Sequence, residues 1–216
     1  MAFTMENPIL EELRKIAINF KIEPAGTVGH SASVSDVIRV FSGIQESFRS
    51  FIKIEIKKSA EFKSEIAKNK NLINQIMAEM DLLIVDTKFS YQSSIVPDIS
   101  QDLSLFKNDT LSWKSRAFQE YKDKIIYSDI NDINNLYALS KRYTIKERDL
   151  IFTPLFNASG NGKDYKVRVW EQDREKINLI KPKKLYETYF KPNRLKPVNK
   201  TERISHVIQK PNKEKN

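Results

Sequence analysis

Apolar residues recur along this chain with a period that changes several times, and each change marks an element. Ile16, Ile18, Phe20 and Ile22 stand at every second position, which predicts a half-buried strand that Pro24 ends. A loop rich in Gly and Ser follows over residues 26–33. Then Val37, Phe41, Ile44, Phe48 and Phe51 recur in steps of three and four, flanked by Ile38, Val40 and Ile52. That is the spacing of an amphipathic helix, with Ser33 or Ser35 as its N-cap. A second helix is expected over about 61–80, with Phe62, Ile66, Ile73, Ile76, Met77 and Met80 inward and Lys68-Asn-Lys-Asn71 weakening its middle. The apolar run between Asp81 and Asp86 fits a buried strand, and residues 89–96 its antiparallel neighbour. Pro97-Asp98 and the polar stretch to Asp109 predict a loop and a boundary.

Beyond it, Trp113, Ala117, Phe118, Tyr121 and Ile125 predict a helix over about 112–126, with a shorter one near 129–141. Asp149-Leu-Ile-Phe-Thr153 looks like a strand. Asn161-Gly162 favours a turn, because both residues tolerate positive φ. Residues 165–170 alternate cleanly as a strand, and 176–180 are a candidate third strand. Pro182 suits the start of a short helix ending near Phe190. After it, Pro192, Pro197 and Pro211 break any regular element. The expected fold is α+β, in two small mixed units with antiparallel strands followed by an extended basic tail. The boundaries fall at 1–100, 101–190 and 191–216.

The 216 residues are 40% apolar and 30% charged, with 12 Phe and 8 Tyr, so the chain carries enough material for a sizeable core. It has no cysteine. A disulfide framework, a thiolate metal site and a cysteine nucleophile are therefore excluded, and a reducing, cytoplasmic setting is expected. No apolar run approaches the roughly 18–20 residues that span a bilayer, and the N-terminus lacks the pattern of a secretion signal. No membrane partner is expected.

The charge distribution adds more. The net charge is +9. Residues 160–216 hold 16 Lys or Arg against 7 Asp or Glu, and the remainder of the chain holds 21 of each sign. From Lys181 onward the count is 11 against 3. All the excess sits at one end, which points to an acidic partner, nucleic acid foremost. The candidate contacts are Arg168, Lys181, Lys183, Lys184, Lys191, Arg194, Lys196, Lys200 and Arg203. Basic side chains neutralise phosphates, and the interleaved aromatics Trp170, Tyr186, Tyr189 and Phe190 either stack on bases or fill a small core. Trp170 and Phe190 are assigned to the core.

Catalytic motifs are sparse. Gly29-His30-Ser31 lies between a strand and a helix, where a phosphate loop would carry Gly-Lys-Ser. Pro24 stands where that loop needs its first glycine, and His30 where it needs lysine, so the segment reads as a capped connection. The sharpest enzymatic alternative is a Mg²⁺-dependent nuclease centred on Asp86-Thr-Lys88, with Asp86 on the metal and Lys88 on water or developing charge. Asp98 followed by Glu120-Tyr-Lys122 matches the same loose pattern, but helical spacing turns Glu120 and Lys122 apart. His30 and His206, the two histidines, are too far apart in sequence to suggest a triad or a multi-histidine metal site. No cofactor is expected.

The leading expectation is a non-enzymatic accessory or adaptor subunit that contacts nucleic acid through its basic C-terminal end and partner proteins through its N-terminal unit. Its Lys/Asn/Ile-rich composition suggests a bacterial or mobile-element system such as antiviral defence. The nuclease is one alternative. A purely protein-binding subunit whose tail threads along an acidic partner is the other.

Overall fold

A computed structural model describes residues 16–24, 33–88, 92–98, 110–129, 132–159, 165–171 and 174–177. The first strand, β1, is Ile18–Pro24. The long helix α1, Val34–Lys58, starts at Ser33, whose hydroxyl accepts a hydrogen bond from the Asp36 backbone N–H at 3.1 Å. That bond satisfies one of the orphan donors of the first turn. The spaced apolar residues of α1 become its buried stripe, including Val40, Ile44, Phe48, Phe51 and Ile52.

The single helix expected over 61–80 is two helices, α2 (Ala60–Lys68) and α3 (Leu72–Ala78). Asn69 caps the first, and its side-chain oxygen accepts from the Asn71 backbone N–H at 3.0 Å. This local bond competes with continued helix and explains the break. Strands β2 (Leu82–Lys88) and β3 (Gln92–Pro97) follow.

Helix α4, Thr110–Tyr121, runs on into a π-helical turn at Lys122–Ile126. Helix α5 is Ile133–Arg142 and α6 is Ile145–Ala158. The expectation of a strand at 149–153 is corrected, because these residues lie inside α6. Thr144 and Glu147 form a capping box at its start, and Arg148, Ile151, Phe152, Leu155 and Ala158 face inward at helical spacing. The β propensity of Ile-Phe-Thr is overridden by the cap and by packing against α1. Strands β4 (Tyr165–Glu171) and β5 (Arg174–Ile177) close the described chain. The turn at 161–162, the expected helix at 182–190 and the tail lie outside the described residues.

The five strands form one antiparallel sheet in the order β2-β3-β1-β4-β5. β1 sits in the centre, with Ile18 opposite Ile95 of β3, and with Phe20 and Ile22 opposite Val169 and Val167 of β4. Segments on either side of residue 100 therefore share a sheet, and one buried apolar cluster runs from Ile18 through α1 and α6 to Val169. Phe20 meets Phe41 of α1 edge-on at 4.8 Å, which fixes the helical layer on that face. The architecture is α+β. Among the described residues, no helix is long and apolar enough to cross a membrane.

Candidate nucleic-acid interface

The alternation of β4 sorts its side chains by face. Tyr165, Val167 and Val169 are buried in the core. Lys166, Arg168 and Trp170 take the opposite face, away from α1. The assignment of Trp170 to the core is thus corrected: it is half-buried, next in line to Arg168, and is not among the residues of the main apolar cluster. The signal was present in the sequence, since Trp170 shares the parity of Arg168 and not that of Val169.

Register brings β1 into the same surface. Arg168 lies opposite Lys21, Lys166 opposite Glu23, and Trp170 opposite Asn19. Glu23 pairs with Lys21 at 3.3 Å and with Arg168 at 3.6 Å. The side chains of Lys21 and Arg168 remain 38% and 37% exposed, and Lys166 is exposed, so among the described side chains Lys21, Lys166 and Arg168 surround Glu23, while Glu175 of β5 stands opposite Trp170 in the register. Closer to Trp170 the surface is polar. Asn19 donates from its amide to the Trp170 carbonyl at 3.3 Å and accepts from the Ser94 hydroxyl at 2.7 Å. One row further on, Ala17 and Val96 are buried beside Ile16. Trp170 marks the border between an apolar patch and a basic one.

Of the other expected contacts, Lys181, Lys183, Lys184, Lys191, Arg194, Lys196, Lys200 and Arg203 all lie outside the described residues, as do His30 and His206.

The nuclease candidates sit elsewhere. Asp86 and Lys88 belong to β2, the strand at one edge of the sheet. Val85 is opposite Ser94 and Lys88 opposite Gln92, so three steps along β2 match two along β3. The extra residue is a bulge, so the regular alternation of a strand does not run through Asp86-Thr-Lys88. Both side chains lie outside the described set. Asp98 directly follows β3, where its N–H donates to the Asp81 carbonyl at 2.8 Å and its own carbonyl accepts from the Lys114 ammonium at 3.1 Å. Glu120 is half-exposed and paired with Lys124, whereas Lys122 is buried with its ammonium 6.0 Å from the Phe118 ring. Among the described residues, no three His, Asp or Glu side chains stand close enough to share a metal ion.

One cluster had no sequence signal. A cleft of about 410 Å³ opens where the end of α1 meets α2, α4 and α5, lined in part by Glu55, Lys58, Phe62, Trp113, Arg116 and Arg142. Glu55 accepts from the Arg142 Nε at 3.1 Å, from a second Arg142 nitrogen, and from the Tyr143 hydroxyl at 2.6 Å. Burial pulls the Glu55 carboxyl up, but these hydrogen bonds and the guanidinium charge outweigh it and hold it below the usual carboxylate range. Burial, followed by the Glu55 carboxylate, pushes the Tyr143 phenol well above its ordinary value. Lys58 pairs with Glu147 at 2.8 Å. Arg142 and Lys58 therefore answer to carboxylates of the chain itself, and the network fastens the end of α5 to α1. No family model, curated protein or solved structure matches this chain, so its function is argued from its own residues.

Proposed function

We propose that the protein is a non-enzymatic adaptor that contacts nucleic acid through the outer face of β4 and the basic segment that follows it. The observation that carries this reading is the placement of Lys166, Arg168 and Trp170 on one face of β4, beside Lys21 of β1. The sequence leads from that strand through β5 into residues 181–216, where 11 Lys or Arg face 3 Asp or Glu. A folded basic face joined to a basic segment suits a phosphate backbone, whose neutralisation releases condensed counterions. Such contacts position a protein without reading sequence.

The adaptor role rests on a second surface. Val34 and Ile38 lie one turn apart on α1 and are 76% and 58% exposed, which suits an apolar contact with a partner subunit.

The test is binding to two unrelated duplexes and to single-stranded RNA over a range of salt. Similar affinities for the unrelated sequences are expected, with a log–log salt slope of about −0.9 per phosphate contact on duplex DNA. Replacing Lys181, Lys183, Lys184 and Arg194 together with Ala should weaken binding and make the slope shallower. Absence of binding at low salt would overturn the reading and leave a protein-binding subunit.

A further inference from the structure

We propose that the outer face of the sheet takes single-stranded nucleic acid, with an unpaired base stacked on Trp170 and its flanking phosphates on Arg168 and Lys166. This rests on the functional reading above and narrows it to one class of ligand.

Residues two apart on a strand project from the same face about 6.6–6.8 Å apart. Lys166, Arg168 and Trp170 thus form a straight row of two cations and one indole, with Lys21 beside Arg168 on β1. A row of this composition suits a chain that offers alternate charges and flat apolar rings, as an unpaired strand does. A duplex offers only its phosphates to such a surface, because its base faces are already covered by stacking. Beyond its one indole N–H, the large apolar surface of tryptophan adds nothing to a purely phosphate-binding face, yet here it stands at the end of the basic row and half-buried. Trp170 has Asn19 opposite it on β1 and Glu175 opposite it on β5. Asn19 donates to the Trp170 carbonyl and accepts from the Ser94 hydroxyl, so these two groups are engaged within the sheet and the platform is expected to tolerate any sequence. The competing role for Trp170 is purely structural, as a cover for the neighbouring Ala17–Val96 patch.

Fluorescence separates the two roles. The chain has two tryptophans, and Trp113 packs on Phe62 with ring centroids 5.4 Å apart, in the helical layer. In full-length protein carrying Trp113→Phe, emission reports Trp170 alone. Titration with a short oligouridylate at low salt should quench it, whereas a short duplex of random sequence should bind with little quenching. Trp170→Ala should weaken oligouridylate binding roughly five- to a hundredfold, the range for loss of one stacked base, and leave duplex binding nearly unchanged. Trp170→Phe should retain most of the single-strand affinity, and it keeps the test open if the alanine variant does not fold. Oligouridylate binding without quenching, or an equal loss on both ligands, would overturn the platform and leave the phosphate-binding reading standing. Absence of binding to either ligand would overturn both.

Discussion

Gly43 of α1 lies so close to α6 that a Cβ added to it would stand 2.4 Å from the Cβ of Ala158 and 2.6 Å from the carbonyl oxygen of Pro154. A glycine in a helix interior costs about 1 kcal/mol relative to alanine. Here that cost accompanies the close approach of the two helices, each of which contributes buried apolar residues to the core.

Gly43→Ala should therefore destabilise the protein despite the better helix former. Overpacking of this kind costs roughly 1–3 kcal/mol, and each kcal/mol lowers the melting temperature by about 2–4 °C for a chain of this size. Adding Ala158→Gly should restore only part of the loss, because the backbone oxygen of Pro154 remains in the way. Thermal unfolding followed by circular dichroism measures both. A Gly43→Ala protein that melts at or above wild type would show that the helices separate without cost.

The Glu55 network predicts a dependence on pH. Glu55 and Glu147 both have their carboxyls held below the ordinary value of 4.5, Glu55 by hydrogen bonds from Arg142 and Tyr143, Glu147 by those from Lys58 and Thr144, in each case against an opposing desolvation. A carboxyl depressed in the folded state contributes stability that is fully present above its unfolded pKa and is lost as pH falls through the folded one. Stability should thus hold near neutrality and decline below about pH 4.5. Glu55→Gln should cost roughly 1–3 kcal/mol near neutral pH, because the Arg142 guanidinium and the buried Tyr143 hydroxyl lose a charged acceptor. It should also flatten the acid limb. Denaturant titrations across this pH range provide the measurement. An acid limb as steep in the variant as in wild type would remove Glu55 as a cause.

No Mg²⁺- or Mn²⁺-dependent cleavage of labelled single- or double-stranded DNA or RNA is expected from purified protein. The motivation is the bulge that interrupts Asp86-Thr-Lys88, with the absence of a shared carboxylate cluster among the described residues. Cleavage that disappears in both Asp86→Ala and Lys88→Ala would promote the nuclease over the adaptor.

Much of the element order was legible in the sequence, because it depends on local periodicity. The alternation of Ile18, Phe20 and Ile22, the three- and four-residue steps from Val37 to Phe51, and the Ser33 cap each involve residues within a few positions of one another. The same holds for β4, where alternation already separated Trp170 from Val169. Placing Trp170 on an apolar face overlooks that parity, since Trp170 stands with Lys166 and Arg168. Residues 149–153 went the other way. Their β-branched and aromatic character favours a strand, but the Thr144–Glu147 capping box a few residues upstream starts a helix that runs through them.

The sequence by itself determined an α+β chain whose positive charge is concentrated at one end, since composition and period need no knowledge of what packs where. Only the tertiary structure decided that β1 lies at the centre of a sheet shared by both halves, that Gly43 meets Ala158, that Glu55 holds Arg142 and Tyr143, and that Lys21 joins Arg168 on one face. Each of these joins residues tens of positions or more apart in the chain. Such contacts form through the shape of the packed core and the register of strand pairing, and neither is encoded in the spacing of any single segment.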